Sequence, residues 1–394
     1  MGKIIVVGSG FSGSVLAREI AEKLNKKVTL VERRNHVAGN MYDEYDEHGF
    51  LIQIYGPHHF YTSNYNEYQY LERFAEIFPH YCKAKNCIDG QYVSMPFNFY
   101  TVQEMVGKER ANSIIAHMRM KYENSQRVPV IDLVHSDDPE ISYYGNLLFD
   151  KAFKTYISKM WDIPLEEVDY YVLGRRAFVA GYDERVADYD YQGLPKEGFT
   201  KLFENMLNHP NIDIKLNTDA LDYITFADDH VLYDGEIIDC LIYTGEIDEL
   251  FGFKYGKLPY RSLDIRWDYY DEDSVLPAEG VSYPQAPGYV RKTEYRKMMY
   301  NTDGLKGSVI STEYPMKYDR NAKVGNIPYY PVVTEESTEI YQKYVEEAKR
   351  YGNVFLCGRL AEFRYIDMHS CVEHALKYFD YVKEYFEKKD KDNA

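Results

Sequence analysis

The chain has no stretch of about 18 consecutive apolar residues, so no segment is predicted to cross a bilayer. Its N-terminus lacks the basic, apolar and small-residue succession of a secretory leader and runs almost at once into a strand-like segment. Cysteine is sparse: Cys82, Cys87, Cys240, Cys357 and Cys371, an odd number with no C-x-x-C spacing. That excludes a disulfide framework, predicts no metal site, and fits free thiols in a reducing cytoplasm. Positive charge is scarce too, with 46 Lys and Arg against 63 Asp and Glu and a formal net charge of −17. Such a balance argues against nucleic acid or an anionic membrane as partner. Any arginine cluster must be built against that background.

Tyrosine is abundant, at 41 of 394 residues. Its apolar face and polar tip suit nucleotide and sugar pockets. The length favours two or three domains.

Lys3–Gly8 (KIIVVG) reads as a strand covered on both faces. Gly8-x-Gly10-x-x-Gly13 follows, then an amphipathic helix with Leu16, Ile20 and Leu24 at four-residue spacing. Lys27–Glu32 is a second strand, and Glu32 lies 19 residues after Gly13. Strand, glycines, helix and acid together form the βαβ dinucleotide fingerprint. The glycines let a pyrophosphate approach the helix N-terminus, and the acid takes ribose hydroxyls. Arg34–Asn40 (RNHVAGN) resembles the segment after the ribose acid in glutathione-reductase-like flavoproteins. The regular β/α alternation of a simple NAD domain does not follow, so FAD is the expected cofactor.

Lys108–Lys121 and Ile141–Trp161 read as helices, the second with Phe149, Phe153, Tyr156 and Met160 on one face. From periodicity alone that stripe is core packing. Gln192–Phe199 reads as a turn-rich connection, Ile212–Leu216 and Leu221–Thr225 as strands, and residues 259–331 as antiparallel strands. Val354–Asp367 (VFLCGRLAEFRYID) is a strand, a Gly-Arg exit and a loop leading into the last helix, with Glu387–Ala394 disordered. The expected fold is α/β: a Rossmann-like FAD domain (residues 1–65, 200–250 and 350–394) with a helical insertion (101–175) and an antiparallel sheet domain for substrate (66–100, 176–199 and 251–349).

Several segments resemble the UDP-galactopyranose mutases of prokaryotic type: Val6–Gly13, Glu32–Asn40, Tyr55–Thr62, Pro96–Thr101, Tyr191–Leu207, Tyr243–Leu263, Glu313–Pro315, Pro328–Val332 and Gly358–Met368. The resemblance covers nearly the whole chain. It implies a cytoplasmic, homodimeric enzyme using reduced FAD. Flavin N5 attacks the anomeric carbon of a nucleotide sugar, and pyranose and furanose forms interconvert with no net redox change.

The resemblance places Arg291 and Arg359 on the diphosphate, with Arg175 and Arg261 nearby and the hydroxyls of Tyr330 and Tyr365 beside them. A guanidinium matches a diphosphate in planar, bidentate fashion. Tyr156 and Phe153 are expected to stack on the nucleoside, and Trp161 to line the same cleft. Asn98, Tyr182 and Ser282 complete the expected substrate set. Arg291, Arg359 and His58 form the expected catalytic group, with His58 placing backbone beside the isoalloxazine. The flavin set is Gly8, Gly10, Phe11, Ser12, Gly13, Glu32, Arg33, Arg34, Gly39, Asn40, Tyr55, His58, Tyr61, Thr244, Gly245, Gly358, Arg359, Tyr365, Ile366, Asp367 and Met368. The helix after Asp367 is expected to aim its N-terminus at the reduced ring.

Departures from the family pattern fall around the sugar and nucleoside. Tyr61 replaces a His, Ser282 an Asn, Ile157 a Thr, Val186 a Tyr and Ala38 a Gly. UDP-galactose is therefore the simplest substrate, with UDP-N-acetylgalactosamine or dTDP-fucose as alternatives. An amine-oxidase-type oxidoreductase shares the cofactor domain but has no need of arginines facing a diphosphate. An inactive FAD-bearing binding protein is disfavoured by the intact Gly358–Met368 segment.

Overall fold

The computed structural model describes residues 3–162 and 177–392. The fingerprint strand Lys3–Val7 lies inside a seven-stranded sheet, parallel to Val28–Val31 on one side and Glu236–Tyr243 on the other. Ile212–Lys215 extends the first edge, and Val354–Leu356 pairs in parallel with Leu241–Tyr243. The C-terminal ends of these parallel strands therefore converge, which is where open α/β sheets place their ligands. The helices Phe11–Lys23, Gly198–Leu207 and Met368–Asp392 pack Leu16, Phe203 and Phe379 against one face.

A second seven-stranded sheet runs in the order Tyr330–Pro331, Tyr260–Tyr270, Ser308–Lys317, Arg291–Glu294, Gly280–Ser282, Ala84–Ile88, Gln91–Met95. It is antiparallel except where Gly280–Ser282 runs parallel to Ala84–Ile88. The helical insertion has its own core, built from Ile114, Leu133, Tyr144 and Leu148. No helix among the described residues is long and apolar enough to cross a membrane.

Four expectations are corrected. Leu221–Thr225 is not a strand. The Asp219 carboxylate accepts from Leu221 N at 3.1 Å and winds Ala220–Asp222 into a 3-10 turn, leaving a strand only at Ile224–Phe226. Gln192–Phe199 is not simply a connection, because Tyr191–Pro195 is a strand paired on both edges, with Phe60–Thr62 and Ile77–Pro79. The last helix continues to Asp392, tied by Lys389 to Asp239 at 2.6 Å and by Lys26 to Asp390 at 3.2 Å. The assigned sheet domain also shrinks. Tyr70, Leu71, Phe74 and Ile77 pack in the cofactor-domain core, and Ala177–Val179 pairs with Arg127–Pro129 on the insertion.

The stripe helix contains a π-turn at Phe149–Phe153, between Pro139–Leu148 and Lys154–Trp161. The extra residue rotates everything that follows. Phe153 is thereby turned into the insertion core, 5.9 Å from the Phe97 ring, while Tyr156 reaches the domain junction.

Candidate active site

A cavity of about 960 Å³ runs from the fingerprint loop to the second sheet. At its first end lie Gly8, Ser9, Gly10, Phe11 and Ser12. The helix starting at Phe11 has no side-chain cap and no acid in its first turn, so its leading N–H groups remain open to an anion. A Cβ on Gly10 would meet nothing within 4 Å, whereas one on Gly13 would lie 2.0 Å from the Gly8 carbonyl oxygen. Gly13 thus holds the turn shut from behind and does not line the cavity, while Gly10 leaves the space in front free. Glu32 accepts from Ser9 N at 3.0 Å, Ser9 Oγ at 2.7 Å and Arg34 N at 3.0 Å, which fixes its buried carboxylate at the strand's tip.

Arg34 donates to Asn40 Oδ1 at 2.9 Å and lies 4.3 Å over the Tyr55 ring, with its Nη1 buried and unbonded. Tyr55 itself does not line the cavity; it orients Arg34. Arg33 lines the wall, but its guanidinium is met by Glu249 at 3.1 Å and Glu246 at 3.4 Å. Open glycines, an uncapped helix, a fixed acid and an orphaned guanidinium nitrogen together fit a dinucleotide such as FAD. Thr244, Gly245, Asn40 and Gly39 close the same stretch.

Farther along, Gly358 has φ of +104°, and a Cβ there would lie 2.8 Å from Ser12 Oγ, so only glycine fits. The chain then turns so that Arg359 donates from Nε to Ile366 O at 3.0 Å and from Nη1 to Tyr329 O at 3.1 Å. Ile366 thus contributes a carbonyl to the arginine and is not part of the lining. Among the described residues, no carboxylate pairs with Arg359. Its guanidinium sits 4.9 Å from the Tyr365 ring and 5.4 Å from Tyr330, and those two rings stack 5.6 Å apart. Arg291 approaches from the second sheet, and the environment of Tyr330 includes both guanidinium groups. Both guanidinium charges also act on His58. Burial, reinforced by the Arg359 and Arg291 charges, lowers its pKa to about 3, so its ring is neutral. Tyr61, Asp367, Met368, Ser282 and Tyr156 complete this end of the cavity.

Several expected substrate residues lie elsewhere. Asn98 is fully buried and caps the helix Phe99–Val106, accepting from Tyr100 N at 2.9 Å and Thr101 N at 3.2 Å. Phe153 is a core residue. Tyr182 packs on Phe99 and Tyr100 outside the cavity. Arg261 donates to Met160 O at 2.7 Å, Lys159 O at 3.1 Å and Asp162 Oδ2 at 3.1 Å, so it ends the Tyr156 helix instead of facing a diphosphate. Trp161 does not line the cavity, but its ring lies 6.2 Å from Tyr330. Arg175 falls outside the described residues.

Sequence reasoning missed Glu313, which holds Arg291, and the acidic Glu279 beside His59 and His80. The first needs the cross-strand register Arg291↔Glu313, which sequence spacing does not reveal. It also missed Arg320, which reaches from the sheet domain to Glu249 at 2.7 Å and to Asp219, spanning the fingerprint end of the cavity.

The family model described as UDP-galactopyranose mutase matches residues 151–365, and that of an NAD(P)-binding Rossmann-like domain matches residues 6–78. The chain is 32% identical over 379 residues to dTDP-fucopyranose mutase of Escherichia coli, covering 96% of this chain and 97% of that protein. It is 30% identical over 381 residues to UDP-galactopyranose mutase of Mycoplasma genitalium, covering 95% and 93%. Among solved structures, a reduced UDP-galactopyranose mutase superposes with a TM-score of 0.70 at 14% identity, covering 98% of this chain and 94% of that one. A putrescine oxidase bound to putrescine superposes at 0.59 with 12% identity, covering 97% and 99%. The two superpositions show a shared fold that also houses oxidases.

Proposed function

We propose a function from one premise: the chain belongs to the UDP-galactopyranose mutase family. It is a flavoenzyme that interconverts the pyranose and furanose forms of a nucleotide sugar. When bound, reduced FAD supplies the nucleophile, its N5, and shows no net change of oxidation state over a turnover. The protein's own work is to bind, orient and shield.

The observation that carries this reading is the pair Arg291 and Arg359 on one cavity, with the stacked Tyr330 and Tyr365 beside them. Glu313 offsets the charge of Arg291, but Arg359 meets no carboxylate among the described residues, so the site keeps a positive charge for an anion to meet. A diphosphate matches their fork geometry, and the two phenols can donate to its outer oxygens. Both arginines are tethered before substrate arrives, so the leaving group's charge is met by donors already in place. His58, kept neutral by burial and by both arginine charges, adds no third charge. Tyr156 offers a stacking face to the nucleoside, and the uncapped helix and Glu32 hold the cofactor's pyrophosphate and ribose.

UDP-galactopyranose is the simplest substrate. dTDP-fucopyranose stands beside it, because the E. coli dTDP-fucopyranose mutase is as similar as the UDP-galactopyranose mutases. All five thiols are free, as a cytoplasmic enzyme requires, and a homodimer is the assembly we expect. The test is to reduce the enzyme once with dithionite, incubate it with each sugar nucleotide and resolve the products chromatographically. A furanose product without further reductant consumption supports the reading. Reductant consumed in proportion to turnover, or no furanose from either substrate, overturns it.

A further inference from the structure

One wall of the cavity carries a charged group that the reading above leaves unused. Glu279 immediately precedes the strand Gly280–Ser282, is 5% exposed and lines the cavity. His59 Nε2 is bonded to one of its carboxylate oxygens, and His80 Nε2 lies 2.5 Å from the other. The two imidazoles stack with centroids 5.5 Å apart. Glu279's backbone carbonyl is fixed as well, accepting from Glu294 N at 2.8 Å. Burial opposes a charged carboxyl here, but the two histidines outweigh it and hold Glu279 down at about 2.

The rungs of the sheet place this group relative to the arginines. Ser282 pairs with Arg291 and Gly280 with Thr293, so Arg291 and Thr293 sit on one face about 7 Å apart along the strand. The Thr293 hydroxyl is buried without a hydrogen-bond partner and lines the cavity, and Glu279 adjoins its rung. Polar atoms left unsatisfied at such depth cost stability unless a ligand completes them. Thr293 and Glu279 line the same cavity as Arg291, with Thr293 two residues along the strand from it.

We propose that Glu279, braced by His59 and His80, accepts a hydrogen bond from a hydroxyl of the substrate's sugar ring and so selects the glycosyl group. This rests on the nucleotide-sugar reading above. A carboxylate oxygen has two lone pairs; the histidines take one on each and the Cys82 thiol a third, which leaves one for a hydroxyl donor. Thr293 Oγ1 meets a neighbouring hydroxyl.

The experiment uses reduced holoenzyme and whichever of UDP-galactose or dTDP-fucose the wild type converts. Glu279→Gln should raise KM and weaken sugar-nucleotide binding by about ten- to hundredfold, the worth of a hydrogen bond to a charged group. Affinity for the bare nucleoside diphosphate and the flavin spectrum should stay unchanged. Glu279→Asp, which keeps the charge on a shorter arm, should fall between. Against one monodeoxy analogue of the sugar, wild type and Glu279→Gln should bind equally, because the donor is gone. Equal sugar-nucleotide affinity in variant and wild type overturns the inference, even where wild-type turnover stands. So does a parallel loss of diphosphate affinity in both variants, which marks a structural role. The donor atoms of His59, Cys82 and Glu279 lie within 4.8 Å of one another, so stoichiometric divalent metal in the purified enzyme would also overturn it. A wild type that yields no furanose sinks the enclosing reading instead.

Discussion

Glu313 holds Arg291 through two parallel hydrogen bonds, from Nε to Oε1 at 2.7 Å and from Nη2 to Oε2 at 2.9 Å. The Glu313 side chain is 3% exposed, whereas 35% of the Arg291 side chain remains open. The guanidinium is therefore aimed from behind and free in front. Arg359 is held differently, by backbone carbonyls that orient it without cancelling its charge.

Glu313→Gln removes the counter-charge but keeps the shape. Breaking a buried pair costs about 3–5 kcal/mol when both partners are dry, and the cavity-facing arginine lowers that to about 2 kcal/mol. The missing charge should then be supplied by ligand. Adding UDP is expected to raise Tm more in Glu313→Gln than in the wild type, measured by thermal melts at fixed ligand excess. A smaller ligand-induced rise in the variant would show that Arg291 does not face the diphosphate.

Arg359→Lys keeps a positive charge but cannot reach Ile366 O and Tyr329 O together while presenting a fork to an anion. Turnover should fall by at least about 10²-fold, the scale of losing a preorganised donor to a developing charge. The purified variant should remain yellow, because the fingerprint loop holds the cofactor. Near wild-type kcat would remove Arg359 from the diphosphate clamp.

His58 resists protonation to a lower pH than a surface histidine does. Its folded-state pKa, about 3, lies below the ordinary value of 6.5 because burial and two arginines disfavour the cation. Between those values the unfolded chain takes up a proton that the folded chain refuses. The contribution to stability is thus complete above about pH 6.5 and is lost as pH falls toward 3. The ceiling on the slope is about 1.4 kcal/mol per pH unit, and water in the cavity reduces it. Urea midpoints of wild type and His58→Gln should converge as pH drops from 7 to 4.5. A constant difference would mean that His58 ionises normally.

The cofactor half of the site was legible because its chemistry is local. Gly8, Gly10, Gly13 and Glu32 act through one turn and the tip of the next strand, and both can be read within about thirty residues. Arg291 and Arg359 were legible only through family resemblance, since nothing in the spacing of a lone arginine distinguishes a clamp from a surface pair. Asn98 carried a capping signal in plain view, an Asn three residues before Thr101, and it was read as a ligand contact instead. Phe153 and Tyr156 went in different directions because a π-turn, invisible to a periodicity argument, rotates one away from the other. Glu313 and Glu279 depend on strand register and on contacts between segments about 200 residues apart or on different strands, which a single sequence does not encode in any local pattern.

Arg261 is the residue whose role changes most. Its three hydrogen bonds go to Lys159 O, Met160 O and Asp162 Oδ2, the C-terminal end of the helix that carries Tyr156. Lys159 on the same turn donates to Tyr283, Ala286 and Tyr289 carbonyls at 2.8–2.9 Å, so two cations pin this helix to the sheet domain. A diphosphate ligand and a helix anchor predict different kinetics. Losing a diphosphate contact lowers kcat along with kcat/KM, because the charge it stabilises grows in the transition state. Losing an anchor displaces Tyr156 and weakens nucleoside stacking in ground and transition states alike. Arg261→Met should therefore raise KM by about tenfold, the worth of roughly one stacking contact, with kcat within about twofold of wild type. It should also make the Tyr156 segment exchange its amide hydrogens faster, since the last carbonyls of the helix lose their donors. A fall in kcat without faster exchange would return Arg261 to the diphosphate.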